Sequence, residues 1–428
     1  QALSQQQHLV IVGDFDADGA TSTAVLLSGL KALGFKYVEY LVPNRFEYGY
    51  GLTPPMAELA VAQGAELIIT VDNGISAVDG VALAKKAGVK VLITDHHLAG
   101  NELPDADAIV NPNQPGCSFA SKALAGVGVA FYLLLALRAA LRERQYFSAT
   151  QSEPNLAELL DLVALGTVAD VVPLDSNNRI LVHQGLMRIR SGKCRPGIQA
   201  LIDVANRNAQ KLTASDFGFA LAPRLNAAGR LDDMSLGISC LLAPELGLAR
   251  QYAAELDSLN VERRAIEQSM QAEAQAFLSQ LSFDGKELPE CLCLYRHDWH
   301  QGVIGILAGR IKEQFHRPTI VFAQGDDGEL KGSARSINGL HIRDLLEEIS
   351  TQYPGLIKKF GGHAMAAGLT ISAERLDTFK LALSLTAKKH LTAEQLTAVV
   401  YTDGELPADC FELDFARLLQ QAGPWGQA

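Results

Sequence analysis

The stretch HLVIVGDFDADGA (residues 8–20) joins an apolar run to three alternating aspartates, and it decides the fold class of the first half of the chain. The apolar run predicts a buried strand that enters a loop at Gly13. In an extended segment alternate side chains point the same way, so Asp14, Asp16 and Asp18 can converge at the carboxyl end of that strand. Open α/β sheets place their ligands at this edge.

These three aspartates predict a site for a divalent cation. Like charges this close repel one another, and a bound cation relieves the repulsion. A solvated Asp-rich turn or a calcium loop of the EF-hand type could also carry the pattern DxDxDG. The EF-hand requires a glutamate at its twelfth position, where this chain has Val25. By itself the motif leaves the metal site and the solvated turn open.

Similar apolar runs recur along the first half and predict further buried strands at 37–43, 66–72, 89–95 and 107–112. Segments with helical spacing lie between them, at 20–33, 53–63 and 77–87, and a helical cluster follows at 122–143, 155–166 and 178–190. Strands that alternate with helices argue for a parallel sheet with helices on both faces. The predicted fold class is therefore α/β.

A long helix rich in Ala, Glu, Leu and Gln is predicted at 245–281, and we interpret it as a connector between domains rather than part of a bundle. Short strands and helices resume after it and predict a smaller α/β domain. The segment AVVYTDGEL (398–406) predicts the start of another β element. The predicted boundaries are 1–244 for the first domain, 245–284 for the long helix, 285–372 for the second domain, and 373–428 for a linker with part of a third.

Composition limits the class of protein. The 428 residues are 48% hydrophobic and 20% charged, which fits a globular protein of two or three domains without a membrane span. A net charge of −11 does not favour a nucleic-acid binder, although a local basic groove can lie on an acidic molecule. Six cysteines without CxxC spacing argue against a zinc ribbon or a disulfide framework and predict a reducing cytoplasm.

Acidic and histidine residues recur at other predicted strand ends. ELIITVD ends in Asp72, and VKVLITD is followed by His96 and His97. A lone aspartate at a strand end is more often a helix N-cap, but imidazole next to carboxylate is a typical ligand set for first-row metals. Asp170, in the loop of VADVVP (168–173), is a fourth contributor. Together these residues predict one metal site at the edge of the sheet.

The motifs GDFDADG, VDNG, TDHH and GTVADVVP, in this order and spacing, resemble the four motifs of the DHH phosphoesterase superfamily. Within it, the chain resembles the RecJ family of bacterial single-stranded-DNA-specific exonucleases from about residue 8 to 371. The resemblance includes PNRFEYGYGL (43–52), APRLNAAGRLDD (222–233), WHQGVIGI (299–306), KGSARS (331–336) and GGH (361–363). It implies a DHH domain, a DHH-associated (DHHA1) domain, and the start of an oligonucleotide/oligosaccharide-binding (OB) fold. That OB-fold is expected to be only partly present, because the chain ends at PWGQA (424–428).

The resemblance implies two bound ions, Mn²⁺ or Mg²⁺. The implied metal ligands are Asp16, Asp18, Asp72, His96 and Asp170, with Asp72 bridging the ions, and Asp14 is added to the predicted metal set either as a ligand or as a group that supports one. Asp72, His96 and His97 are the implied catalytic residues, and His97 is expected to face the substrate phosphate or the leaving group. Many members of the family have a histidine where this chain has Val12, so the ligand set of one ion is expected to differ.

Arginines in loops rich in Gly, Pro and Asn predict contacts to phosphate, because guanidinium binds phosphate through two hydrogen bonds. Any single arginine can equally form a surface salt bridge. The family implies that Arg45, Ser333 and Arg335 capture a 5′ phosphate. The predicted substrate-binding set is Arg45, Arg224, Asn226, Arg230, Ser333, Arg335, Gly361, Gly362 and His363. Tyr48 and Tyr50, beside Arg45, fit either base stacking or core packing.

The function implied is hydrolysis of single-stranded DNA from 5′ to 3′ by a two-metal mechanism, in DNA repair and recombination. The implied partners are single-stranded DNA with a 5′ end, a single-strand-binding protein and a helicase, in the cytoplasm and without a membrane. One alternative is a small-substrate DHH phosphodiesterase acting on nanoRNA or cyclic dinucleotides. Another is a non-catalytic replication scaffold of the same fold, which would have lost the acidic and histidine ligands that are present here.

Overall fold

The computed structural model describes residues 1–45, 47–100, 102–149, 151–283, 289–400 and 402–426. The chain divides into two compact units. The first unit comprises Gln1–Asn260 and Leu406–Ala428, and the second comprises Val261–Glu405. In the described part of the chain, no helix is both long and apolar enough to cross a membrane.

The first unit contains a parallel five-stranded sheet in the order β2-β1-β3-β4-β5. Its strands are β1 (Leu9–Val12), β2 (Val38–Leu41), β3 (Leu67–Val71), β4 (Lys90–Thr94) and β5 (Ala108–Val110). Each corresponds to one of the apolar runs that predicted it. The α/β fold class and the parallel sheet are confirmed.

Helices cover both faces of this sheet because successive residues of each strand point to opposite sides. In β1, Leu9 and Ile11 enter the large apolar cluster on one face, and Val10 and Val12 enter a smaller cluster on the other. The helices are α1 (Ala2–Gln5), α2 (Ala17–Ala32), α3 (Pro54–Ala62), α4 (Val78–Lys86), α5 (Gly126–Glu143), α6 (Leu160–Ala169), α7 (Ser176–Arg190), α8 (Pro196–Val204), α9 (Ala214–Asp216), α10 (Ala222–Leu231) and α11 (Ser235–Leu242). A π-helical turn, Phe217–Leu221, leads directly into α10.

The long helix α12 (Leu246–Phe283) begins in the first unit and continues into the second. The second unit has a mixed sheet in the order β6-β7-β8-β10-β9. Its strands are β6 (Leu292–Tyr295), β7 (Thr319–Gln324), β8 (Glu329–Arg335), β9 (Lys359–Gly362) and β10 (Ala366–Ser372), and its other helices are α13 (Ile304–Phe315), α14 (Ile342–Gln352) and α15 (Leu376–His390). Phe322 and Phe379 meet edge to face in its core, with ring centroids 5.5 Å apart.

Two features differ from the sequence prediction. A charged helix was expected near 373–390 within the predicted linker, and it is present as α15, but it packs in the core of the second unit through Phe379, Ala382 and Leu383. The described residues of 398–406 form no strand, and a last helix, α16 (Leu413–Gln421), follows. A strand requires a neighbour to accept its backbone hydrogen bonds, and this segment has none among the described residues.

Candidate metal centre

The acidic and histidine side chains predicted from the four motifs meet at the carboxyl edge of the parallel sheet. Asp14 and Asp16 follow β1, and Asp18 lies in the first turn of α2. Asp72 follows β3, His96 and His97 follow β4, and Asp170 follows α6. Parallel strands end at the same edge, which is why residues far apart in the sequence converge.

Three groups of side chains bring their ligand atoms within 4.8 Å of one another: Asp72 with His96 and His97, Asp18 with His96 and Asp170, and Asp14 with Asp16 and Asp72. His96 joins the first two groups, because its Nε2 lies 3.1 Å from Asp72 Oδ1 and 3.5 Å from Asp170 Oδ2, and Asp72 joins the first group to the third. Asp14, Asp18 and Asp72 are almost fully buried, at 3%, 1% and 1% exposure. All six predicted metal ligands therefore belong to one cluster.

The donor set fits a divalent cation. Asp72 Oδ1 and Asp170 Oδ2 are enclosed and accept no hydrogen bond from any described residue, although His96 lies close to both. Buried carboxylate oxygens are rarely left without a donor, and a cation satisfies them. Carboxylates with one or two imidazoles suit a first-row divalent metal such as Mn²⁺ better than a soft metal, and the carboxylates alone would also suit Mg²⁺.

The backbone of Asp72 is held in a strained conformation. Its φ of 62° lies in the left-handed region, which costs a residue with a side chain roughly 1–3 kcal/mol. The Tyr50 hydroxyl donates to the Asp72 carbonyl oxygen at 3.0 Å, and Asn73 Nδ2 donates to the carbonyl oxygens of Val12 and Val71 at 3.0 and 2.9 Å. The role of Tyr50 in this hydrogen bond is different from both roles considered from the sequence, base stacking and core packing.

Asp18 also receives the amino end of α5. Gly126 N donates to Asp18 Oδ2 at 2.6 Å, and Val127 N donates to Asp18 Oδ1 at 3.0 Å. A helix amino terminus stabilises a negative charge through its exposed N–H groups and its dipole. This contact orients the Asp18 carboxylate toward the cluster.

Asp95 is a supporting residue that the predicted site did not include. It accepts hydrogen bonds from His97 Nδ1 at 2.8 Å, from Ile75 N at 2.9 Å, and from His96 N at 2.7 Å. Burial alone would raise the pKa of Asp95, but the bond to His97 lowers it below its usual value. Burial would lower the pKa of His97, and the bond and charge of Asp95 raise it instead. The feature of the sequence that could have identified Asp95 is its position in TDHH, between Thr94 and His96.

Several predicted substrate contacts occupy supporting positions in the first unit. Asn226 Oδ1 accepts a hydrogen bond from Ala17 N at 2.8 Å, so α10 holds the loop between Asp16 and Asp18. Arg224 binds Asp257 at 2.8 Å and the carbonyl oxygen of Ala220 at 2.5 Å. Arg230 lies half-buried near the end of α10. Contacts from these residues to a substrate stay a prediction.

Arg45 is placed beside the metal cluster. Its guanidinium lies 4.1 Å from the centroid of the Phe15 ring. Its Nε is enclosed without a hydrogen bond to a described residue, and burial lowers its pKa although Asp14 and Asp16 oppose the shift. A buried guanidinium with an unused donor is suited to an anion.

The second unit carries the other predicted contacts. Arg335 Nη1 donates to Ser333 Oγ at 3.1 Å on β8. A Cβ added to Gly305, in the first turn of α13, would lie 3.0 Å from both Ser333 Oγ and Arg335 Nη2. Hydroxyl, guanidinium and helix amino terminus together form a cradle for an anion. Gly361, Gly362 and His363 lie at the end of β9, where His363 N donates to the Ala366 carbonyl oxygen at 2.8 Å.

Val12 contributes no ligand. Its side chain is fully buried in the smaller apolar cluster on one face of the sheet. Its carbonyl oxygen accepts from Asn73 Nδ2. The expectation that one ion has a different ligand set stays a prediction.

Burial of so many carboxylates raises their pKa values. Burial and the neighbouring Asp16 raise the pKa of Asp18 to about 7, and burial with nearby carboxylates raises the pKa values of Asp14, Asp72 and Asp170 well above their usual range. The clustered negative charges therefore destabilise the fold when no cation compensates them.

Stability without metal is expected to fall as the pH rises. The folded-state pKa of Asp18, about 7, lies above its unfolded value of 3.8, so its contribution is full at low pH and is lost as the pH rises through 7. With Mn²⁺ the trend should reverse, because metal ligands bind in the deprotonated form. Chemical denaturation at several pH values, with and without Mn²⁺, measures this. Asp18→Asn should show a smaller pH slope without metal, and an unchanged slope would contradict the argument.

A helix-covered parallel sheet with a carboxylate-histidine cluster at its edge defines a phosphoesterase of the DHH type. The family model described as the DHH family N-terminal domain matches residues 8–167, and the DHHA1 domain matches residues 289–389. The chain is 59% identical to the single-stranded-DNA-specific exonuclease RecJ of Dickeya dadantii and 57% identical to that of Escherichia coli, covering 100% of this chain and 74% of each relative. The chain belongs to the RecJ family.

Solved structures agree with this assignment. RecJ from Thermus thermophilus in complex with Mn²⁺ superposes with a TM-score of 0.82 at 30% identity, over 99% of this chain and 58% of that one. An exonuclease RecJ bound to manganese gives 0.74 at 33% identity, over 91% of this chain and 92% of that one. The resemblance to RecJ is confirmed, and the small-substrate and scaffold alternatives are not favoured by these relatives.

Proposed function

We propose that this chain is a metal-dependent exonuclease that hydrolyses single-stranded DNA from the 5′ end toward the 3′ end. The observation that carries the proposal is the convergence of three buried aspartates, Asp14, Asp18 and Asp72, with the half-buried Asp16, His96 and Asp170 in one cluster. Relatives whose names state the same substrate share more than half of the sequence. RecJ structures bound to Mn²⁺ and to Mg²⁺ support either ion.

The chain's residues would perform distinct tasks. Asp72 takes part in two of the three ligand groups, so it would hold both ions. When bound, the two cations would stabilise charge on the phosphodiester oxygens and promote ionisation of the attacking water. The bond between Asp95 and His97 fixes the orientation of the imidazole, which would then donate a hydrogen bond to the phosphate or the leaving oxygen.

The 5′-to-3′ direction of hydrolysis would come from contacts to the phosphate at the 5′ end of the strand. Arg45 offers an enclosed guanidinium beside the metal cluster, and Ser333 with Arg335 offers an anion cradle in the second unit. A terminal phosphate carries more charge than an internal one, so each of these two cationic groups, considered within its own unit, would favour a 5′ phosphorylated end. Specificity for a single strand would follow if the protein contacts bases on edges or faces that are not available in a base pair.

Labelled single strands test the proposal directly. With Mn²⁺ or Mg²⁺, a strand labelled at its 5′ nucleotide should release the label as a mononucleotide at once, whereas a 3′-labelled strand should shorten gradually. Blunt duplex DNA and a cyclic dinucleotide should remain intact. Release of the 3′ label first, or equal cleavage of duplex, would refute the polarity or the strand specificity.

We place the enzyme in the cytoplasm, in DNA repair and recombination, with a single-strand-binding protein and a helicase as partners. All six cysteines are free thiols, which suits a reducing compartment. A helicase would supply the single strand that the nuclease consumes. Co-purification from cells in the presence of nuclease, which removes bridging DNA, tests both partners.

A further inference from the structure

Phe219 is an exposed aromatic residue without a packing role. Its side chain is 81% exposed, whereas Phe217 and Leu221, at the two ends of the same π-helical turn, are fully buried. The turn is thus anchored by its own apolar ends. One exposed apolar side chain is ordinary on a protein surface, so its position has to carry the argument.

Phe219 lies on the side of the π-helical turn and of α10 that faces the metal-binding loop, which is the segment 14–18 after β1. Phe219, Pro223, Asn226 and Arg230 recur every three or four residues, which places them on one side of the turn and of α10. Asn226 on that side accepts the hydrogen bond from Ala17 N, between Asp16 and Asp18. The face that carries Phe219 is therefore the one directed at the metal-binding loop.

A second contact places the turn next to Asp170. A Cβ added to Gly218 would lie 3.6 Å from Val168 Cγ1, two residues before that metal ligand. Val171, on its other side, is 56% exposed with a φ of 65°. π-helical turns occur often at functional sites, and this one lies against the segment that carries Asp170.

The turn is also rigid where the ring projects. Arg224 Nη1 donates to the Ala220 carbonyl oxygen at 2.5 Å, and Arg224 Nε is fixed by Asp257 at 2.8 Å. A preorganised ring loses little entropy when a ligand covers it. The metal cluster contains several carboxylates, which repel phosphate, so an aromatic contact to a base can hold a nucleic acid strand without adding to that repulsion.

We propose that Phe219 stacks on one nucleobase of the single-stranded substrate next to the metal centre. The inference rests on the proposed function, because it requires a single strand at this site. Every base has a π face, so the contact tolerates any sequence, and a base paired in duplex is not available for it. Stacking of this kind contributes about five- to 150-fold to affinity.

Abasic substitution along the strand tests the contact. In an Asp72→Asn background, which keeps the strand intact, fluorescence anisotropy measures binding of oligonucleotides that each lack one base. With Phe219 present, one abasic position should weaken binding about five- to 150-fold. Phe219→Ala and Phe219→Leu should bind the complete strand equally weakly and lose nothing further at that position, and Phe219→Trp should restore the dependence. Ile180→Ala, which removes another exposed apolar side chain of the first unit, should change nothing.

Three results would overturn the inference. The Phe219→Ala variant could bind the complete strand as tightly as the parent protein does. Alternatively, the variant could bind every abasic strand more weakly by the same factor. It could also unfold at a markedly lower temperature, which would mean that another part of the protein covers the ring. If instead the chain with Phe219 intact fails to bind or cleave single strands, the proposed function falls first, so the two failures are distinguishable.

Discussion

Asp72→Asn is expected to reduce turnover of single-stranded DNA by more than about 100-fold, because removing even an indirect support of a metal ligand costs about 10- to 100-fold. Asp72 is 1% exposed and belongs to two of the three ligand groups. Asn keeps the shape of the side chain and tolerates positive φ better than most residues, so the strained backbone at φ 62° should persist. The loss should therefore come from the missing charge.

The same substitution should leave the metal-free fold intact or make it more stable. Burial, with the charges of Asp18 and Asp16, raises the pKa of Asp72, which means that the folded state without metal disfavours its charge. Neutral Asn removes that repulsion at neutral pH. A structural residue would show the opposite result, a lower melting temperature together with lower activity.

Two measurements separate these cases. Calorimetry should show that Asp72→Asn binds Mn²⁺ more weakly, and thermal unfolding should show a smaller Mn²⁺-induced rise in melting temperature. Asp79→Asn, an exposed aspartate in the first turn of α4, is the matched control and should behave as the parent protein. Normal turnover with an unchanged response to Mn²⁺ would remove Asp72 from the metal site.

The sequence predicted the first unit well because apolar run and strand coincide there. The central strands β1 and β3 are almost entirely apolar and buried on two faces, and the outer strands β2, β4 and β5 are apolar except at Glu39, Lys90 and Thr94; this pattern depends only on local sequence. The segment 398–406 has the same local character but forms no strand in its described residues. Local propensity is not sufficient where no neighbouring strand completes the hydrogen bonds.

The metal cluster was predictable for a related reason. Asp14, Asp16, Asp72 and His96 follow strands of one parallel sheet, so the topology brings them together once the sheet is correct, whereas Asp18 and Asp170 lie on or next to helices. The supporting contacts were not predictable. Tyr50 reaches the Asp72 carbonyl oxygen and Asn226 reaches Ala17 N across 22 and 209 residues of sequence, and no periodicity encodes such pairs.

Gly229→Ala is expected to disable the enzyme although the residue touches no ligand atom. A Cβ at Gly229 would lie 1.8 Å from the carbonyl oxygen of Phe15, in the loop between Asp14 and Asp16. The obstacle is backbone, so it cannot rotate away as a side chain would. Either α10 or the metal loop must shift, and overpacking of this kind costs about 1–3 kcal/mol of stability, occasionally more.

The shift should act on catalysis as well as on stability. A displacement of about 1 Å in a catalytic arrangement can cost about 100-fold in rate, and the loop that would move carries Asp14 and Asp16. We therefore expect Gly229→Ala to lower the melting temperature, the affinity for Mn²⁺ and turnover together. Higher Mn²⁺ concentrations should restore part of the activity, because added binding energy can draw the loop back.

Gly247→Ala is the matched control. Gly247 also lies in a helix, near the start of α12, but a Cβ there would meet no atom within 4 Å. Alanine should stabilise that helix by up to about 1 kcal/mol and leave turnover unchanged. Equal behaviour of the two variants would show that the approach of α10 to the Phe15 carbonyl does not hold the metal loop in place.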